Sequence, residues 1–400
     1  MLPDAEPTAS QPDGQSPKRR WYRLTPDRLL IALLPILGLL FLSERFRWFA
    51  FNEHKGWTVL IAVAVVCLAV VLLLLWFGVS LVSRLRFQFS IRSLMVFVVV
   101  VAVVCSWFTV KMQQAKRQRA AVEAIEKAGG YTNYDYMFNA NGVFLRRTPE
   151  PPGPPWLRKL LGVDFLSDVV SLEFDQEKAT DADLANLKGM MNLEALCFLG
   201  DEVTDGGLVH LEGLTSLQHL DLRRARVTGA GLVHLKGLTR LENLWLDETR
   251  VTDAGLMHLK GLTSLQHLSL PDTRVTDAGL MHLKGLTSLR VLWLVNTRVT
   301  DAGLMHLKGL TNLKQLMLDG TQVTDAGLAY LKELTNLEIL SFEDNEVTDA
   351  GLVHLKGLTS LRVLWLVNTR VTDAGLMDLK GLTSLEHVDL SNTQVTDAGL

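Results

Sequence analysis

Val-Thr-Asp-Ala-Gly-Leu, residues 251–256, returns at Val275, Val299, Val323, Val347, Val371 and Val395, each 24 residues after the last. Looser copies open at Ala179, Val203 and Val227, giving nine full units and six residues of a tenth. A fixed period of this size marks a stacked array, not one globular core. A unit this short cannot bury its own apolar face, so it needs a neighbour on either side. The array offers a long repeated surface, which points to binding before chemistry.

Within one unit, Leu265, Leu268 and Leu270 are spaced three and two apart, and Thr273 and Val275 continue the frame. The alternation around Leu268 and Leu270 predicts a short strand with one face inward. Residues 252–261 predict a short helix. Thr252 or Asp253 can cap its first amides, Leu256 and Leu259 share its inner face, and Gly261 can take the left-handed stop. Strand and helix alternate, so a parallel sheet lines one side and helices the other, connected with right-handed crossovers.

This pattern, L-x-x-L-x-L-x-x-T-x-V, resembles the leucine-rich repeat over Ala179–Leu400. The family's usual Asn or Cys is replaced by Thr249, Thr273, Thr297, Thr321, Thr369 and Thr393, with Asn345 alone. The T-D-x-G-L wording is closest to the cysteine-containing subclass, and the whole is similar to bacterial membrane-anchored proteins with long, nearly identical arrays. The resemblance implies an α/β solenoid whose parallel sheet is concave and whose short helices are convex. Val169, Leu172 and Phe174 repeat the strand spacing, so the solenoid is expected to run over 169–400, and to stop partway through a repeat. That leaves an open parallel edge near the C-terminal end, where a second copy or another chain could pair.

Before the array the composition changes. Trp57–Ser83 and Ser93–Val110 carry no charged residue, and each meets the roughly 18 residues of a spanning helix. Leu29–Ser43 is shorter and contains Pro35, and reads as a third span or a re-entrant segment. The expected organisation is a disordered, basic-ended arm over 1–27, a membrane region with two to three helices over 28–110, and a juxtamembrane helix with an N-terminal cap over 111–168. None of the spans holds an ionisable group, which favours an anchor over a transporter. Lys and Arg flank the spans almost equally on both sides, so charge alone does not orient them. The family resemblance favours an extracytoplasmic array on an inner or plasma membrane, with a cytoplasmic array as the alternative.

Residues 179–400 hold 19 Lys and Arg against 28 Asp and Glu, a net of −9, whereas the whole chain is −3. The acidic array lacks the basic stripe that phosphate binding requires, so nucleic acid is not an expected partner. Cys67, Cys105 and Cys197 are too few and too scattered for a disulfide or metal framework.

On each strand, residues between the inward leucines face the concave surface. At the central position the series runs Cys197, Asp221, Trp245, Ser269, Trp293, Met317, Ser341, Trp365 and Asp389. Val291 and Val295 flank Trp293, and Val363 and Val367 flank Trp365. Exposed aromatic anchors of this kind are typical of protein interfaces. Duplication is the competing explanation, because Leu289–Met305 and Leu361–Met377 are identical. His210, His234, His258, His282, His306 and His354 recur at one helix position. Packed helices about 8–10 Å apart cannot easily share an ion whose ligands lie about 2 Å from it, so a solvated face is expected there, not a metal site. Asp253, Asp277 and Asp301 follow Arg250, Arg274 and Arg298 by three residues, which suggests ion pairs along the turn. No motif resembles a catalytic triad, a phosphate-cradling loop or a paired-carboxylate cleft, and no cofactor is implied. The sequence therefore reads as a membrane-anchored module that binds a protein partner through its concave sheet. A cell-envelope spacer without a specific ligand is the alternative, and an enzyme a distant third.

Overall fold

A computed structural model describes residues 57–82, 91–138, 149–174, 179–198 and 202–399, with positions 35, 36, 38–40, 42, 43, 144 and 200. The expected arm over 1–27 lies outside these residues, as does most of the third span. The chain divides near residue 110 into two compact units.

In the first unit, α1 (Trp57–Val82) and the start of α2 (Ile91–Lys127) carry the apolar stretches. Ala62, Val66, Val100 and Val104 are buried in one small cluster. Leu68, Leu75, Met95, Val99 and Val103 face outward, an arrangement that water does not favour. Among the described residues, Met95–Lys127 is long and apolar enough to cross a membrane, and Leu60–Val71 is a shorter apolar stretch.

The second unit is one 11-stranded sheet in sequence order. Lys111–Lys127 continues α2, and the chain turns at Gly129, whose φ of 84° suits glycine. β1 (Gly130–Tyr134) then pairs antiparallel with β2 (Val169–Phe174) along its outer edge. Ala121, Val122 and Ile125 of α2 join the core beneath. From β2 onward every pairing is parallel and shifted by 24 residues, as with Leu268 and Leu292. The repeat strands are β3 (Ala195–Phe198), β4 (His219–Asp221), β5 (Asn243–Trp245), β6 (His267–Ser269), β7 (Val291–Trp293), β8 (Gln315–Met317), β9 (Ile339–Ser341), β10 (Val363–Trp365) and β11 (His387–Asp389). Leu220, Leu222, Leu244, Leu246, Leu268, Leu270, Leu292 and Leu294 are all fully buried, as the strand register requires.

The outer helices are shorter than the sequence suggests. Six repeats make a four-residue α-turn, such as Asp253–Leu256, and in four of these a 3₁₀ turn follows, such as Met257–Leu259. In the repeat from Val227, where Gly229 replaces Asp, the segment Gly231–Leu235 is 3₁₀ throughout.

Two hydrogen-bond series repeat along the array, one between rungs and one within them. In the first, Asp253 accepts bonds from the backbone N–H and the hydroxyl of Thr276, both at 2.7 Å. Asp277 and Asp301 do the same for Thr300 and Thr324. Thr276 in turn accepts a bond from the Ala278 amide and so caps its own helix. These carboxylates are therefore engaged by the next repeat. The ion pairs expected with Arg250, Arg274 and Arg298 do not form among the described residues. The second concerns the buried Thr residues. Each hydroxyl donates to the carbonyl three residues back, as Thr249 does to Leu246 at 2.6 Å. The Asn345 side-chain amide alone reaches into the preceding repeat, donating to the Thr321 hydroxyl at 2.9 Å. Replacement of Asn by Thr thus keeps the turn satisfied locally.

Candidate functional site on the parallel sheet

The strand register sets one straight row across the sheet. Asp221 lies beside Trp245, Trp245 beside Ser269, and Ser269 beside Trp293. Trp293 lies beside Met317, then come Ser341, Trp365 and Asp389. Trp245 and Trp293 are two strands apart, about 10 Å at normal strand spacing. Trp293 and Trp365 are three apart. The sequence placed these side chains on one face, and the structure does so. They are half-buried, however, and not freely exposed, as are Met317, Val291, Val295, Val363 and Val367. A neighbouring side chain packs against the rings of Trp245 and Trp293.

That neighbour is His267, which sequence reasoning passed over. Its ring centroid lies 5.1 Å from that of Trp245 and 4.9 Å from that of Trp293, the latter in an edge-on arrangement. Burial against the two indoles lowers the imidazole pKa to about 4, so His267 is neutral at pH 7. Among the described residues, neither its Nε2 nor the Trp293 Nε1–H has a hydrogen-bond partner, although both atoms are buried. The signal was present in the alternation: His267 stands two residues before the central position, on the same face.

Carboxylates border the aromatic row. Asp319 accepts bonds from the Ser341 hydroxyl and, at 2.9 Å, from the Glu343 amide, which places it over the sheet beside Met317 and Ser341. Burial raises its pKa. Burial also raises that of Glu343, and the charges of Asp319, Asp389 and Asp344 add to the effect. Toward the N-terminal end, Asp221 is held by Arg223 in a two-pronged pair, with Nε donating at 2.9 Å and a terminal nitrogen at 2.6 Å. The Cys197 thiol beside Asp221 is pushed up to about 12, first by burial and then by that carboxylate. It is not a nucleophile at neutral pH. Alongside the row runs a polar groove of about 680 Å³ whose lining includes Glu242, Gln266, Arg290 and Lys314.

On the opposite face the His series is half-buried, which corrects the expectation of a solvated face. Nδ1 of His258 and of His282 is buried without a partner among the described residues, and both residues have lowered pKa values from burial and from Lys236 and Lys260 respectively. Among the described residues no group of His, Cys, Asp and Glu is arranged to hold a metal ion.

Residues 213–235 and 333–355 match the family described as Leucine Rich repeat, and residues 359–400 match Leucine Rich repeats (2 copies). The chain is similar to internalin C2 from Listeria monocytogenes, with 30% identity over 55% of this chain and 84% of that one, at a TM-score of 0.41. It is similar to the Listeria monocytogenes internalin InlF, with 20% identity over 55% of this chain and 85% of that one, at 0.34. The plant peptide hormone receptor RGFR1, solved in complex with RGF2, shows 14% identity over 53% of this chain and 42% of that one, at 0.39. No curated protein matches the chain. With the matched segments lying inside the 24-residue frame and the parallel sheet built from it, this chain carries an array of leucine-rich repeats.

Proposed function

We propose that this chain is a membrane-anchored interaction module, and that a protein partner binds the concave sheet over Trp245, Trp293, Met317 and Trp365. Leucine-rich repeat arrays generally serve as protein-interaction modules, and solenoids bind through extended concave surfaces. One observation carries the reading to this face: Trp245, His267 and Trp293 form a continuous aromatic surface with the Trp293 N–H and His267 Nε2 buried and, among the described residues, unpartnered. Buried polar atoms of this kind cost free energy until a partner or water meets them. Large aromatic anchors with one polar handle are what interface centres use. The stretch Met95–Lys127 supports the anchor. We further propose an extracytoplasmic array, and a non-enzymatic role.

The test places a photo-crosslinking amino acid at Gln315 on the concave face and, separately, at Met281 on the opposite face of the full-length protein. Protein adducts are expected from position 315 and not from 281. Adducts from neither position would favour the spacer reading, for which the duplicated segments 289–305 and 361–377 are the motive, and adducts from 281 alone would move the interface to the opposite face.

A further inference from the structure

The face of β7 to β11 is a grid three residues deep. Its first row is Val291, Gln315, Ile339, Val363 and His387, and its second Trp293, Met317, Ser341, Trp365 and Asp389. Two residues past each central position, in the turns that follow the strands, come Val295, Asp319, Glu343, Val367 and Ser391. Two identical Val-Trp-Val columns therefore frame two strands whose following turns carry carboxylates. No Lys or Arg occupies any of these positions. Lys314 and Arg362, each just before a first-row residue, are engaged at the margin, Lys314 with Glu338 at 2.5 Å and Arg362 with Glu386 at 2.9 Å, while Arg290 before Val291 lines the polar groove. Among the described residues Asp319 and Glu343 form no ion pair, and they lie on a half-buried floor where screening by water is weakened.

We infer that the slot between Trp293 and Trp365 takes a basic segment of the partner, a Lys or Arg side chain lying over an indole with its charge against Asp319 and Glu343. Two features converge on a cation. An ammonium or guanidinium is attracted to the face of Trp, and the gain grows once water is excluded. Asp319 and Glu343 adjoin the slot, in the turns just after β8 and β9. An acidic segment meets uncompensated like charge there, and a purely apolar one leaves the carboxylates desolvated and unpaired. The aliphatic stem of Lys or Arg suits the valines and Met317. This inference rests on the concave-face reading and adds the chemistry of the occupant.

The test uses the full-length protein in neutral detergent and fluorescein-labelled decalysine, with decaglutamate as control, read by fluorescence anisotropy. Decalysine is expected to bind and decaglutamate not. The Asp319→Asn, Glu343→Gln double variant keeps the shape and, at position 319, one acceptor oxygen for the Ser341 hydroxyl, and should weaken decalysine binding about ten-fold or more, the scale of losing close charge partners. The Glu248→Gln, Asp272→Asn variant, outside the slot, should leave it unchanged. Equal weakening in both double variants would show general attraction to an acidic array and overturn the inference, as would binding of decaglutamate. The two readings separate through the photo-adduct formed from position 315. If Trp293→Ala with Trp365→Ala abolishes it while Asp319→Asn with Glu343→Gln does not, the concave-face reading stands and the basic occupant falls. If neither pair changes it, both fall.

Discussion

Asp253 starts the helical turn of its own repeat and holds Thr276 of the next one, so a single carboxylate links two rungs. Removing it should be felt beyond its own repeat. For Asp277→Ala the Thr300 amide loses its charged acceptor, and the expected loss is about 1–2 kcal/mol by urea unfolding. No change would show that water replaces the carboxylate without cost. The repeat from Val227 offers the converse test. Gly229 stands where the other copies from Val203 onward have Asp, and repair to the consensus looks stabilising from sequence. A Cβ there would come 2.7 Å from the Gly255 nitrogen and 2.8 Å from its Cα. Backbone has closed into the gap. Gly229→Asp should therefore destabilise, by about 1–3 kcal/mol as overpacked sites do, and a gain in denaturation midpoint would refute this packing account.

At the scale of the element, a strand of three residues is held almost entirely by its neighbours. Leu268 at the centre of β6 is fully buried between Leu244 and Leu292. Leu268→Ala is expected to cost about 2–5 kcal/mol. The same strand carries His267, whose folded pKa of about 4 lies below its ordinary 6.5. Between these values the unfolded chain binds a proton that the folded one does not. This contribution to stability is complete above pH 6.5, falls as the pH drops toward 4, and levels off below. His267→Phe should flatten the loss of stability between pH 7 and pH 4.5, followed by urea midpoints. An unchanged slope would mean that the imidazole is not held neutral by the two indoles.

For the whole molecule, stability in a stacked array is a sum of rung and interface terms, so a rung's protection follows the number of its neighbours. β2 is covered by β1 on one side and β3 on the other, with Ile125 beneath. β11 pairs with β10 alone among the described residues, and Leu385 and Leu390 beside it are only partly buried. Amide exchange should be slowest in β5 to β8 and fastest in β11, while β2 stays nearly as protected as the centre. Equal exchange in β11 and β7 would show that the array opens as one cooperative unit.

The period of 24, the inward leucines and the alternation of strand and turn follow from local spacing, and that spacing alone determines a stacked array. The charge-free stretches and the single face shared by Trp245, Trp293 and Trp365 are legible for the same reason. The partners of side chains are not. Asp253 lies three residues from Arg250 in sequence, yet its oxygens meet Thr276, because stacking sets the helix start of one repeat against the chain entry of the next. His267 acquires its depressed pKa and its two indole neighbours from the strands on either side, each a full repeat away. Gly229 reads as a lapse in the consensus and is in fact a close backbone contact with Gly255. Periodicity along the chain is a short-range property that sequence records directly. Contacts between rungs depend on how successive turns are set side by side, and only the tertiary structure decides that.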